Sequence, residues 1–379
     1  MIYLDNSATT KPYKEVLDAY RKAAEEFFGN PSSLHRKGGE AERLLRQART
    51  SIATLLNVKA SEIIFTSGGT ESNNMAIKGV ALHYMNRGKH LITTQIEHAS
   101  CIQSFRQLES MGFEVTYLPV DEKGIISLDD LENALSSSTT LVSIMHVNNE
   151  IGATQPVKEI SQLIKRKSRA IFHVDDVQGI GKVPIDFHDV QADLLSYSAH
   201  KFHGLKGTGM LIKKQNIKLF PLLSGGGQED EVRSGTENVP GIVAMAKALR
   251  LYLGNSLQGI ENLQALKRKL HTELSEIKGV ELNTSFNTAP HIINFSVPGI
   301  KPEVLIHTLE EKGIYVSTRS ACSSKAAEAS HVLTAIGLSI ESAKTAIRIS
   351  LSYDTTQEQI EVFIQEFQEA ISKLKYVMR

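Results

Sequence analysis

The sequence is poor in cysteine, carries no charge imbalance and contains no long apolar run. Its two cysteines, Cys101 and Cys322, cannot staple a chain of 379 residues, and neither sits in a CxxC or Cys/His zinc spacing. That excludes a disulfide-framed secreted scaffold and points to a reducing compartment. Lys+Arg and Asp+Glu both number 42, a formal charge of zero. A chain that gripped nucleic acid alone, or lay on an anionic membrane, would show a basic excess or a cationic face. No segment approaches the roughly 18 uninterrupted apolar residues of a membrane-spanning helix. The start, Met1-Ile-Tyr-Leu-Asp-Asn, lacks the basic and apolar regions of a secretion signal. The expectation is a cytoplasmic protein with no direct hold on nucleic acid or membrane. A GxGxxG fingerprint and a Walker loop are also missing, which weakens a dinucleotide-binding reading.

What is present is a hydrophobic share of 41%, enough for a substantial core. From residue 13 the chain alternates helical and short apolar segments, the rhythm of βαβ units around a mainly parallel sheet. The pattern predicts strands at 62–66, 90–94, 114–120, 140–147, 170–175, 193–198 and 208–213, with helices at 71–84, 99–110, 128–134 and 157–165. After a helical stretch near 241–253, Asn255-Ser-Leu-Gln-Gly259 reads as a break before a smaller α+β part. That part offers strands at 291–297, 314–318 and 346–352 and a closing helix from Thr356. In this helix Ile360, Phe363, Phe367, Ile371 and Leu374 recur at three- and four-residue intervals, an apolar stripe for a core. The predicted division is 13–257 for the large domain, with 1–12 and 258–379 for the small one.

Ligands of such sheets gather beyond the carboxyl ends of the strands, so strand ends are where chemistry is sought. Ser67-Gly-Gly69-Thr70 follows one strand and opens a helix, placing backbone N–H groups and a hydroxyl where a phosphate can sit. Alone it is an ordinary βα turn. His173-Val-Asp175-Asp-Val-Gln178 puts a carboxylate at the next strand end of interest, and Ser198-Ala-His200-Lys201 puts hydroxyl, imidazole and amine at another, 26 residues after Asp175. Phosphate donors, a carboxylate and a lysine are what pyridoxal phosphate requires: the carboxylate keeps the pyridine nitrogen protonated and the lysine forms a Schiff base. A carboxylate about 4 Å from a pyridinium gains about 4 kcal/mol at an effective dielectric near 20, nearly three pKa units.

Glu97-His98 follows a strand and offers an imidazole able to stack on a ring and move protons, or simply to start a helix. His146-Val-Asn148-Asn149 offers amides to a ring hydroxyl or a substrate, as does Gln178. Ser317-Thr-Arg-Ser-Ala-Cys322-Ser-Ser-Lys325 places a thiol among small polar residues over a loop of about 317–330. Such a cysteine leans toward reactivity, whereas Cys101, inside a predicted helix, reads as packed. Arg348 lies in the apolar strand Ala346-Ile-Arg-Ile-Ser350, where a guanidinium needs a carboxylate partner: a substrate's, or the protein's own.

Taken together the motifs resemble those of the cysteine desulfurases, pyridoxal-phosphate enzymes of the fold-type-I aminotransferase superfamily. The likeness runs from Tyr3-Leu-Asp-Asn-Ser-Ala-Thr-Thr10 through Phe28-Gly-Asn-Pro31, Arg233-Ser-Gly-Thr236 and Ser320-Ala-Cys322 to Arg348. The resemblance implies that Lys201 carries the cofactor, Asp175 pairs with the pyridine nitrogen, Gln178 reaches the phenolic oxygen and His98 stacks on the ring. Gly69, Thr70, Ser198 and His200 bind phosphate, helped by Thr236 of the partner subunit in a homodimer. Asn149 and Arg348 anchor L-cysteine, and Cys322 accepts the sulfur and passes it to an acceptor protein, a tRNA sulfurtransferase or an iron–sulfur scaffold. A transaminase or a sulfide-releasing lyase would keep Lys201 and Asp175 without needing Cys322, and a dead scaffold would need neither. The chain departs from the usual pattern at Asp176, Leu205, Arg319 and Asp230-Glu231.

Overall fold

A parallel sheet covered on both faces needs strands that are apolar throughout, and the central strands of this chain meet that condition. The computed structural model describes residues 1–318 and 329–377. Its strands are β1 (Ile2–Tyr3), β2 (Ile63–Thr66), β3 (His90–Thr94), β4 (Glu114–Leu118), β5 (Thr139–Met145), β6 (Ile171–Asp175), β7 (Leu194–Ser198), β8 (Gly209–Lys213), β9 (Glu281–Leu282), β10 (Ile292–Ser296), β11 (Ile314–Tyr315) and β12 (Ala346–Ser350). Every residue of β5, β6 and β7 is buried. The main sheet has the order β2-β8-β7-β6-β5-β3-β4. Only β8 runs against its neighbours; the other pairs are parallel.

Successive side chains of a strand point to opposite faces, and the two cores divide accordingly. Phe172, Val174, Leu195 and Ile212 join Tyr252 on one face, while Ile171, Leu194 and Leu211 join Ile77 and Phe105 on the other. Parallel pairing brings the carboxyl ends of β3, β5, β6 and β7 to one edge, with Met145 level with Asp175 and Asp175 level with Ser196.

The C-terminal part is built on an antiparallel sheet, β12-β10-β9. Beneath its closing helix the packed residues are apolar. The helix Gln357–Val377 lays Ile360, Phe363, Phe367 and Ile371 against Phe295, with ring centroids 5.3 Å apart for Phe295 and Phe367. The predicted stripe is therefore core. β1 pairs in parallel with β11, and Asp5 bridges to Ser350, so the first residues of the chain belong to this part. A smaller cluster, including Ile96, Met145 and Ile151 together with Val332, Leu333 and Ala346, joins the two parts. We propose the division at 13–257 against 1–12 and 258–379 on the ground of these separate cores.

The predicted break at Asn255–Gly259 shrinks to one residue. Asn255 alone separates the helices Val239–Gly254 and Ser256–Glu276, and Gly259 lies inside the second. A glycine is required there for packing, since a Cβ would stand 2.4 Å from Tyr353 Cδ1. Among the described residues no helix is long and apolar enough to cross a membrane.

Candidate active site

The cavity at the carboxyl edge, of about 160 Å³, is lined by Gly69, Thr70, His98, Asn149, Asp175, Gln178, Ser198, His200, Lys201 and Arg348. These are ten of the twelve residues singled out from the sequence. Cys322 lies outside the described residues, and Thr236 is exposed and does not line this cavity of its own chain.

One end is built for an anion. β2 runs into a turn whose Gly68 takes φ +150, a backbone conformation that L side chains rarely adopt, and the helix Gly69–His83 begins at once. The turn sits tightly against β8: a Cβ on Gly209 would lie 2.5 Å from Gly68 Cα. A Cβ on Gly69 would come 2.9 Å from Val177 Cγ2. Helix-start N–H groups thus stay open beside the Thr70 and Ser198 side chains. Glu71 holds the turn by accepting from the Ser67 N–H at 2.7 Å and from Arg233 Nε at 2.7 Å. His200 closes this end; burial, then Lys201, pulls its imidazole down to about 3, so it is neutral.

Asp175 lines the same cavity from the end of β6. Its Oδ2 accepts from Asn73 Nδ2 at 2.7 Å and its Oδ1 from the Val177 N–H at 3.1 Å. Cys101 packs beside it, fully buried, its thiol pushed up by that burial, as expected of a packed cysteine. Lys201 projects from the turn after β7, and its Nζ donates to the backbone carbonyls of Ser7 at 2.5 Å and Ala8 at 2.8 Å. Gln178 Nε2 donates to the same Ser7 carbonyl at 3.0 Å.

His98 unites both readings its position allowed. It is the N-cap of the helix Ala99–Ser110, its Nδ1 accepting from the Ser100 N–H at 3.1 Å, and its ring lines the cavity. Capping fixes Nδ1 as acceptor and leaves the proton to Nε2. Burial pushes its pKa down and keeps it uncharged. Arg348, 1% exposed, has the internal carboxylate partner that was the alternative to a substrate: Nη2 donates to Asp5 Oδ1 at 2.6 Å and Nη1 to the Asn149 carbonyl at 2.9 Å. Among the described residues its Nε is buried without a hydrogen-bond partner. The unusual Asp176 accepts from His146 Nδ1 at 2.7 Å and does not line the cavity.

Several contributors carry no signal at a strand end. Ser7 and Ala8 act through carbonyls, Asn73 lies inside a helix, and Asp5 comes from the first residues of the chain. The arrangement places an anion cradle, a carboxylate and an amine around one small polar cavity, a donor set suited to a phosphorylated pyridine aldehyde. A Cβ at Gly69 would intrude on the cradle, which supports that fit.

Comparison with known proteins agrees with this chemistry. The model of the aminotransferase class-V family matches residues 2–363. A relative named cysteine desulfurase IscS, from Dictyoglomus turgidum, is 45% identical over 378 residues, 99% of this chain and 96% of the relative. Among solved structures, a NifS-like protein superimposes with a TM-score of 0.93 at 39% identity, covering 98% of this chain and 99% of its own. A structure titled SspA in complex with cysteine gives 0.82 at 35% identity, covering 94% and 100%. By motif, fold and sequence the chain belongs to the class-V aminotransferase family, among its NifS/IscS cysteine desulfurase relatives.

Proposed function

We propose that this chain is a pyridoxal-phosphate-dependent cysteine desulfurase that converts L-cysteine to L-alanine, taking the sulfur onto Cys322. The observation that carries the reading is the convergence of the Lys201 amine and the Asp175 carboxylate on one cavity whose third wall is a helix N-terminus. A relative named for the activity and a neighbour whose title includes cysteine support it.

Bound there, pyridoxal phosphate supplies an aldehyde for an amine and a ring that draws electrons from the substrate carbon. Lys201 would hold the aldehyde carbon, Asp175 the ring nitrogen, Gln178 the phenolic oxygen and His98 the ring face. Gly69, Thr70, Ser198 and His200 would hold the phosphate, with Thr236 of the partner subunit if the protein is a homodimer. The Lys201 amine would also take the α-proton of the substrate. Arg348, held by Asp5, would anchor the substrate carboxylate beside Asn149. Cys322 thiolate then attacks the substrate sulfur: an S–S bond forms, the C–S bond breaks, and protonation of carbon yields alanine. The persulfide passes its outer sulfur to a cysteine of an acceptor protein, a tRNA sulfurtransferase or an iron–sulfur scaffold.

Two measurements test this. Purified protein incubated with pyridoxal phosphate is expected to turn yellow through Lys201, and a colourless product would favour a non-catalytic scaffold. Cys322→Ala is expected to lose persulfide formation and alanine production from cysteine; full turnover would move the assignment to a lyase or transaminase. A mixed disulfide trapped on Cys322 identifies the acceptor.

A further inference from the structure

Lysine is almost never fully buried without a partner, yet Lys182, in the turn after β6, is 4% exposed. Among the described residues no carboxylate lies within ion-pair distance of it. Its Nζ donates instead to the backbone carbonyls of Lys201 at 3.2 Å and Gln178 at 3.4 Å, and stands 5.6 Å from the centroid of the Tyr252 ring. Tyr252 is itself stacked on Tyr353 at 4.4 Å, so the surroundings are aromatic on that side. The nearby titratable groups are Lys201, Asp176, His200, His203 and His291, and Asp176 is committed to His146. Burial, then Lys201, pulls the Lys182 amine down to about 7. Desolvating an amine this thoroughly is costly, and its two main-chain contacts show what is obtained in return.

The Lys201 carbonyl ends the turn that carries the amine. The Gln178 carbonyl belongs to the turn that begins at Asp175. These turns follow different strands, and one ammonium group bonds both. We propose that Lys182 is a positioning residue that clamps the turn after β6 to the turn after β7, fixing the spacing between Asp175 with Gln178 and Lys201. The inference rests on the functional reading above, since it is the cofactor that must fit between those groups.

A matched control exists in the same chain. Lys267, 3% exposed, is also pulled by burial to about 7, and its Nζ donates to the carbonyls of Thr288 at 3.0 Å and Ala289 at 2.9 Å and to the Thr288 hydroxyl at 2.6 Å. All three acceptors belong to a single turn and neither residue lines the cavity. The experiment compares Lys182→Met and Lys267→Met by thermal melting, by titration of the apoprotein with pyridoxal phosphate, and by circular dichroism in the absorption band of the bound cofactor. Both substitutions are expected to lower the melting temperature. Only K182M is expected to weaken the cofactor, at least about tenfold, and to change the dichroic band, with Lys182→Arg recovering part of each. Wild-type affinity and dichroism in K182M, or equal losses in K267M, would overturn the clamp and leave the functional reading standing. If wild type and K267M both fail to bind pyridoxal phosphate, the functional reading falls and takes the clamp with it. Should K182M not fold, Lys182→Gln and Lys267→Gln are compared by the same readouts: a loss of cofactor affinity confined to K182Q supports the clamp, and equal affinities overturn it.

Discussion

The carboxyl edge of the main sheet and the core beneath the closing helix differ in what they bury. Under the helix Gln357–Val377 the packing is Phe on Phe and Leu, with ring centroids 5.3–5.4 Å apart. At the sheet edge Asp175, Asp176, Glu97, Gln178 and Lys182 are buried with little or no solvent, and His98 is half-buried beside them. Apolar burial stabilises in proportion to area, whereas buried polar groups at best recover their desolvation through hydrogen bonds. The first region therefore holds the chain folded, and the second spends stability on geometry. Substitutions should separate the two.

The largest effect is expected at Asp175. On the proposed function, Asp175→Asn would remove about 4 kcal/mol of preference for a protonated ring nitrogen, so turnover should fall about 10³-fold while melting temperature changes little; steady-state assays and calorimetry check both halves. Phe367→Ala inverts this pattern, costing about 3–5 kcal/mol of stability in denaturant titrations with activity per folded molecule retained. A large loss of turnover there, or of stability at Asp175, would break the comparison.

Glu97 sharpens it through pH. Burial raises this carboxyl from 4.5 to about 8, with Oε1 accepting from the Met145 N–H at 2.9 Å. The folded state holds a proton that the unfolded state releases between those values. Stability therefore falls as pH rises from 4.5 to 8. Glu97→Gln keeps the acceptor and cannot ionise, so the variant should lose that decline; parallel melts across the range reveal it. The smallest effect is at the rim, where Glu229, Asp230 and Glu231 take φ of 47, 53 and 64 in succession. Left-handed backbone strains residues with a Cβ, so Glu231→Gly should stabilise by about 0.5 kcal/mol, measurable as a shift in denaturant midpoint without loss of turnover.

How much of this was legible in the sequence follows from how each group acts. Asp175, Ser198, His200 and Lys201 stand at ends of strongly apolar strands, and a side chain with chemistry at such a place announces itself. The same strands end within two residues of their predicted limits, because continuous burial leaves the pattern little freedom. Ser7 and Ala8 were invisible because a carbonyl has no residue type. Lys182 reads as an exposed turn lysine until Tyr252 and Tyr353, far along the chain, enclose it. Gly259 reads as a breaker because sequence cannot show the tyrosine ring resting on it. Arg348 was recognisable as needing a carboxylate, but its partner Asp5 lies 343 positions away.

That pairing has a bearing on biosynthesis. Residues 5–10 carry Asp5 to Arg348, the Ser7 and Ala8 carbonyls to Lys201, and Thr10 to the His200 carbonyl. Chains fold as they emerge, and while the partners of Ser7, Ala8 and Thr10 lie mid-chain, Asp5 must wait for Arg348, made 343 positions later. The guanidinium is therefore oriented only after synthesis has passed its strand, well after the segment carrying the amine has been made.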